Sequence, residues 1–224
     1  MINLPDVTLI CVSSIKFPQT FHAFQKSVEK IKFGAVKLVS HEKPEGLPDF
    51  IEFSQGYKIN NIDEYSYYWI YNLTNHVNTS HCLVIQADGF VINPEKWDDG
   101  WLNYDYIGAP WEWSENAYID PFGNHQRVGN GGFCLMSKKL LDVPKHKHIE
   151  WNVNQGNFYN HMNANNFAGD GNVCVHNRHI YEESGCKFAP IEVAVRFSQE
   201  KKVPEAEGIV PFGFHYFLPE GTKL

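Results

Sequence analysis

Short continuous apolar runs alternate with segments of helical period through the first half of this chain. Val7-Thr-Leu-Ile-Cys-Val12 is apolar on consecutive residues rather than alternate ones, as expected of a strand covered on both faces. Pro18 to Ile31 follows, with Phe21, Phe24, Val28 and Ile31 on one helical face. Ala35 to Val39 and Phe50 to Phe53 read as two further short strands. From Asn61 the period is helical again, with Ile62, Tyr65, Trp69, Leu73 and Val77 recurring at spacings of three and four. Asn61 is placed to cap that helix, and Glu64, three residues later, completes a capping-box pattern. His81 to Gln86 is the next strand. The order β-α-β-β-α-β predicts an α/β domain with a mostly parallel sheet, because parallel neighbours need a crossover that is usually a helix.

The second half is less regular. It is rich in Gly, Asn, Trp and Tyr, and "YDYIGAPWEWSENAY", "RVGNGGFCLMS" and "FAGDGNVCVHNR" are loop-rich pieces around short apolar centres. No linker, repeat or low-complexity tract divides the 224 residues, so a single domain is expected. A nucleotide-type α/β half is expected at 1–90, a less regular half that builds a second pocket wall at 91–217, and a tail at 218–224.

Charge and cysteine usage narrow the partners. The formal net charge is −7 and no basic stripe stands out, so nucleic acid is not an expected partner. The five cysteines, Cys11, Cys82, Cys134, Cys174 and Cys186, show no CxxC spacing. An odd number without a disulfide framework points to a reducing compartment. With no apolar run of membrane-spanning length and nothing like a signal peptide at the start, a cytoplasmic protein is expected. The oligomeric state is not legible.

Chemistry enters at Cys82-Leu-Val-Ile-Gln-Ala-Asp-Gly-Phe90. An apolar strand exits into a lone carboxylate, Asp88, followed by a glycine. In open α/β sheets ligands bind at the carboxyl ends of the strands, where a carboxylate can hold a divalent cation and the cation a diphosphate. Asp-Gly is also a common turn pair, so this stretch alone reads first as a turn and only second as a cation site. Four other pieces share its character: Asp105-Tyr-Ile-Gly-Ala-Pro-Trp111, the glycine-rich Gly129-Asn-Gly-Gly-Phe133, Gly169-Asp170-Gly171, and Pro211-Phe-Gly-Phe-His215. The glycine loop lacks the spacing and lysine of a P-loop. No GxGxxG follows the first strand, so neither a Walker-type NTPase nor a dinucleotide-binding domain is expected.

Taken in order, "QADGF", "YDYIGAPW", "RVGNGGFCLMS", "GDGNVCVHNR", "CKFAPIEVAVRFSQE" and "PFGFH" resemble a GT-A-type glycosyltransferase, of a family of small bacterial and large-DNA-virus domains. The resemblance runs from Val7 to His215. It implies a GT-A-like (nucleotide-diphospho-sugar transferase) single domain of the α/β class, with a mostly parallel central sheet and a loop-rich second half. It also implies transfer of a hexosyl or deoxyhexosyl group from a nucleotide sugar, UDP by default, to a glycan or glycoprotein acceptor, with Mn2+ or Mg2+ as cofactor.

Residue by residue, the resemblance lays Val12, Ser13 and Ser14 against the base and ribose. Gln86-Ala87-Asp88 looks like the Asp-x-Asp metal motif with its first acid replaced. His215 stands where a late metal ligand is expected beside Asp88, and Asn130, Gly131 and Gly132 would face the donor sugar. Asp170 looks like the acid of a Glu-Asp pair whose Glu is Gly169 here, which makes it the expected general base or sugar-hydroxyl binder.

The chemistry asks for these types. A leaving diphosphate needs a cation against its growing charge, and an acceptor hydroxyl needs a base. Lys58 is a further donor contact, and Arg127 reads either as a phosphate clamp or as a surface ion pair. Arg178 and Arg196 cannot be ranked. Trp111, Trp113 and Tyr118 read either as a sugar platform or as core. Lys145-His-Lys-His148 is expected to be a solvated loop. The replaced acids at Gln86 and Gly169 also suit a non-catalytic carbohydrate- or nucleotide-binding module of the same fold. A nucleotidyltransferase is less apt, because "CVSSIKFP" has no glycine.

Overall fold

The computed structural model describes residues 1–151, 168–220 and 222; of the predicted tail, positions 221, 223 and 224 lie outside the described residues. The chain opens with β1 (Ile2–Val12), α1 (Phe17–Val28), β2 (Ile31–Ser40), β3 (Glu52–Gln55), α2 (Ile62–Tyr71) and β4 (His81–Val84). This is the order read from the apolar runs. β5 (Tyr106–Ile107), β6 (Cys134–Ser137) and α3 (Lys138–Asp142) follow. The described chain then resumes with a helical stretch made of α4 (Gly169–Gly171), a π-helical turn over Asn172–His176 and α5 (Arg178–Glu183). Last come α6 (Ile191–Phe197), β7 (Ser198–Gln199) and β8 (Gly213–Phe214).

The main sheet has six strands in the order β3-β2-β1-β4-β6-β5. β3, β2, β1 and β4 run parallel, and β6 runs antiparallel between β4 and β5. Its two faces explain the continuous apolar runs. Leu9 and Cys11 of β1 pack on one side with Ala23 and Phe24 of α1, Trp101, Phe197 and Phe212. Ile10 and Val12 pack on the other with Trp69, Ile70 and Leu73. Every residue of the strand centre is therefore buried, and no polar alternation is possible. All five cysteines are buried free thiols.

Two sequence readings shift. α1 ends at Val28, and its buried face is Thr20, Ala23, Phe24 and Ser27 rather than Phe21, Phe24, Val28 and Ile31; Ile31 instead begins β2. The helix read through to Val77 stops at Tyr71 and continues as a 3-10 turn over Leu73–His76. Asn61 caps α2 by accepting from the Glu64 N–H at 2.8 Å, but the Glu64 carboxylate returns to the N–H of Asn60 rather than Asn61. No described helix is long and apolar enough to cross a membrane.

Candidate functional site

The carboxyl ends of β1 and β4 open into a divided cleft, at the edge where α/β sheets bind ligands. One chamber, of 390 Å³, is lined by Cys11 to Lys16, Ile59 to Ile62, Tyr65 and Gln86 to Asp88. Its walls include Val12, Ser13, Ser14 and Ala87. The other, of 730 Å³, holds Trp69, Asn130, Gly131, Gly132, Asp170, Glu200, Lys201 and His215 on its walls. The two share Ile62, Tyr65, Gln86 and Asp88. Asp88 thus stands at the junction, while the backbone of Gln86 and Gly89 closes a tight turn through two mutual hydrogen bonds of 2.9 and 3.1 Å. The turn and the cleft-wall readings of this stretch hold together.

The junction is built by convergence of distant segments. His215 Nε2 lies 3.3 Å from Gln86 Oε1 and 3.8 Å from Asp88 Oδ1. His215 Nδ1 faces Asn130 Nδ2 at 3.0 Å and Glu200 Oε1 at 3.3 Å. Gln86 is oriented from behind, its Nε2 donating to Tyr65 Oη at 2.8 Å. Asn130 sits at φ 65°, a left-handed conformation that asparagine tolerates better than most residues. Its Oδ1 accepts from the N–H groups of Gly132 and Phe133 at 3.1 and 3.3 Å. Gly132 is required by contact: a Cβ there would lie 2.1 Å from His215 Nε2.

Asp170 hangs over the glycine loop. Its Oδ2 accepts from the Gly131 N–H at 3.0 Å and its Oδ1 from the Gly171 N–H at 2.8 Å. Burial and the nearby Glu200 carboxylate push its carboxyl up, against the lowering effect of the two amides and His215. Glu200 moves the other way: burial would raise it, but its contacts with His215 and Asn130 outweigh burial and keep it low. Gly169 has a steric explanation too. A Cβ there would lie 2.9 Å from the Trp69 ring, so the tryptophan occupies the room a side chain would need.

Among the described residues, no group of three or more His, Cys, Asp or Glu side chains is arranged to hold a metal. Asp88 and His215 are a pair. Asp88 Oδ1 and His215 Nε2 stand 3.8 Å apart with Gln86 Oε1 beside them; a Mg2+ held by both at about 2.1 Å would draw them closer, with its further ligands from water and phosphate.

The other expectations divide. Lys58 is exposed and lines neither chamber, although Ile59 to Asn61 line the smaller one. Arg127 lines neither chamber and stands in the ion-pair arrangement: it pairs with Glu205 at 3.1 and 3.3 Å and its Nε donates to the Trp111 carbonyl. Arg178 pairs with Glu182, and Arg196 faces Asp98. Trp111 and Tyr118 stack at 4.1 Å on the wall of the larger chamber, whereas Trp113 is exposed elsewhere. Lys145 to His148 are exposed, as expected of a solvated loop.

Sequence reasoning missed Tyr65, Trp69, Glu200 and Lys201 as cleft residues. Tyr65 and Trp69 had been assigned to the buried face of a helix, and that face continues into the cleft. Glu200 stands, like Asp88, just past a strand end, but β7 before it is the polar pair Ser198–Gln199, so no apolar run marks it.

A family model described as "Protein of unknown function (DUF5672)" matches residues 49–215. A search of curated proteins finds no match. Among solved structures, an active-site mutant of LgtC superposes with a TM-score of 0.56 at 10% identity, covering 95% of this chain and 88% of that one. The apo form of the glycosyltransferase GlyE from Streptococcus pneumoniae TIGR4 gives a TM-score of 0.46 at 11% identity, over 96% of this chain and 55% of that one. The likeness to LgtC is one of fold, and the fold is the expected GT-A-like single α/β domain.

Proposed function

The chain belongs to the DUF5672 family, and from its divided cleft we propose that it is a glycosyltransferase, moving a sugar from a nucleotide-diphosphate sugar to a glycan acceptor. The observation that carries this reading is the junction itself. Two chambers meet at Asp88 and Gln86, with the His215 imidazole 3.8 Å from the carboxylate. A nucleotide sugar is a two-ended ligand with a diphosphate between its ends. In this reading the 1–90 half holds the nucleotide, with Val12, Ser13 and Ser14 on the nucleoside, and the 91–217 half holds the sugar and the acceptor.

Electrostatics favours a metal-dependent version. Asp88, Asp170 and Glu200 all line the larger chamber, against Lys201 and His215. A diphosphate entering there meets like charge unless a cation lies between. Asp88 Oδ1 and His215 Nε2 are the groups that would hold Mn2+ or Mg2+, which when bound supplies positive charge against the leaving diphosphate. Asp170 is held by two backbone amides. Each oxygen keeps a second lone pair to accept from a sugar hydroxyl. Its raised proton affinity suits a group that takes the acceptor's proton. The donor nucleotide is taken as UDP, the default that the resemblance implies.

A non-catalytic binding module of the same fold is the second reading. It is favoured by the commitment of Asp170 to the two amides and of Gln86 to Tyr65. Calorimetry with UDP-, GDP- and dTDP-sugars, with and without Mn2+, on wild type and Asp88→Asn tests the metal-dependent reading. Binding of one donor that needs Mn2+ and is lost in the variant is the expected result. Binding indifferent to both would reject the metal role. Release of free nucleoside diphosphate, measured with Mn2+ and glycan acceptors added so that the sugar has a hydroxyl to go to, separates the transferase from the binding module.

A further inference from the structure

The short ribbon near the end of the chain has a register with a consequence for His215. β7 and β8 run parallel, pairing Ser198 with Gly213 and Gln199 with Phe214. The next residues in that register are Glu200 and His215, and the His215 N–H closes the ladder on the Gln199 carbonyl at 2.9 Å. Adjacent parallel strands therefore deliver the Glu200 carboxylate to the far side of the imidazole, 3.3 Å from Nδ1. The near side, Nε2, faces Asp88 and Gln86.

A neutral imidazole carries one proton, and a cation can use Nε2 only when that proton is on Nδ1. Two groups contact Nδ1, and they ask for opposite tautomers. Asn130 presents its Nδ2, because its Oδ1 is engaged by the N–H groups of Gly132 and Phe133. A donor there favours a bare Nδ1. Glu200 can only accept when ionised, and so favours the protonated Nδ1.

We propose that Glu200 is the positioning residue that makes His215 a metal ligand: its carboxylate takes the Nδ1–H and turns the Nε2 lone pair toward Asp88. The proposal rests on the metal-dependent reading of the cleft. Carboxylates that hold a ligating histidine in this way typically carry about 10–100-fold in metal affinity.

The test is a double-mutant cycle read by Mn2+ binding, with Mn2+ alone and with Mn2+ plus UDP, so that no turnover is needed. Glu200→Ala should weaken Mn2+ binding about 10–100-fold in the wild-type background. It should add little once His215→Ala is present, since its effect passes through the imidazole. Glu200→Gln conserves volume and fold and keeps an acceptor oxygen for Nδ1–H. It should retain most of the affinity that Glu200→Ala loses. Equal losses from Glu200→Ala in both backgrounds would overturn the proposal, because Glu200 would then act by its own charge or contacts. So would unchanged affinity in Glu200→Ala when His215→Ala alone is impaired. Both results leave the metal reading standing. If wild type binds no Mn2+ with or without UDP, the metal reading fails and this role fails with it.

Discussion

Gly132→Ala isolates one contact in the cleft. The three atoms nearest to an added Cβ all belong to the His215 ring: Nε2 at 2.1 Å, Cδ2 at 2.2 Å and Cε1 at 2.5 Å. Ordinary van der Waals contact begins near 3.4 Å, so the ring must retreat by about 1.3 Å. Gly132 is not among the residues with positive φ, so alanine meets no backbone penalty there. Less freedom in the unfolded chain should even return about 0.4–1 kcal/mol. Against that stands overpacking, which costs about 1–3 kcal/mol in a filled site. The net expectation is a destabilisation of about 1–2 kcal/mol, or roughly 2–8 °C in Tm for a chain of this size. Function should suffer more than stability. A displacement near 1 Å at a reacting centre is worth about 100-fold in rate, and the retreat carries Nε2 away from its place beside Asp88. The assay is thermal unfolding and Mn2+ binding of Gly132→Ala, His215→Ala and the double variant. With the imidazole gone, Gly132→Ala should be neutral or slightly stabilising. If it lowers Tm equally in both backgrounds, the clash lies elsewhere and the steric account of Gly132 is wrong.

Two further predictions concern carboxylates. Asp170→Asn keeps one acceptor oxygen, for the Gly131 N–H, gives up the bond from the Gly171 N–H and cannot take a proton, so turnover should fall at least about 100-fold while donor binding falls far less; full turnover would reduce Asp170 to a fastener of the glycine loop. Asp142 Oδ1 gathers Thr74 Oγ1 at 2.5 Å and the Lys138 and Lys145 ammonium groups at 2.7 Å each. Burial alone would raise its carboxyl, but these partners hold it well below the usual range. A lowered folded-state value means stability that is present above the unfolded pKa of about 3.9 and is lost as pH falls through the folded value. Because its side chain is 32% exposed, the whole effect is about 1 kcal/mol or less. Urea unfolding of Asp142→Asn should show that deficit at pH 7 and 5 and a closing gap toward pH 2. A deficit as large at pH 2 as at pH 7 would trace to packing instead.

How much was legible follows from where each signal lives. Strand and helix order in the first half was readable because both faces of the sheet are covered, so Leu9 to Val12 and Cys82 to Val84 carry no polar interruption. Asn61 was readable as a cap because capping is local chemistry between residues three apart. Asp88 stood out for the same reason, a carboxylate at a strand exit. What could not be read was convergence. Gln86, Asn130 and Glu200 each bring a polar atom within 3.3 Å of a His215 ring nitrogen, across as many as 129 residues of sequence. Nothing in the period of an apolar run encodes which strand exits will face each other. The length of α1 was misjudged because Val28 and Ile31 continue the helical spacing, while the chain has already turned into β2.

Gln86 and Gly169, the two positions where the resemblance expects an acid, acquire different explanations once the neighbours are known. At position 169 the explanation is volume. Trp69 fills the space in front of the backbone, and Gly169 donates its N–H to Ser66 Oγ at 3.0 Å. A side chain would have to displace a buried indole, so restoring a glutamate there should perturb packing more than chemistry. At position 86 the explanation is charge. An acid there would add a fourth carboxylate to a chamber already walled by Asp88, Asp170 and Glu200. The amide instead gives Tyr65 a partner at 2.8 Å and leaves Oε1 toward the imidazole. A cation at the junction would then have one formal charge from Asp88 and neutral donors from Gln86 and His215. Fewer charged ligands mean weaker binding by the empty protein. The cation would be held firmly only when a diphosphate brings its own charge. Metal and donor should therefore bind cooperatively, each raising the affinity of the other by the same factor.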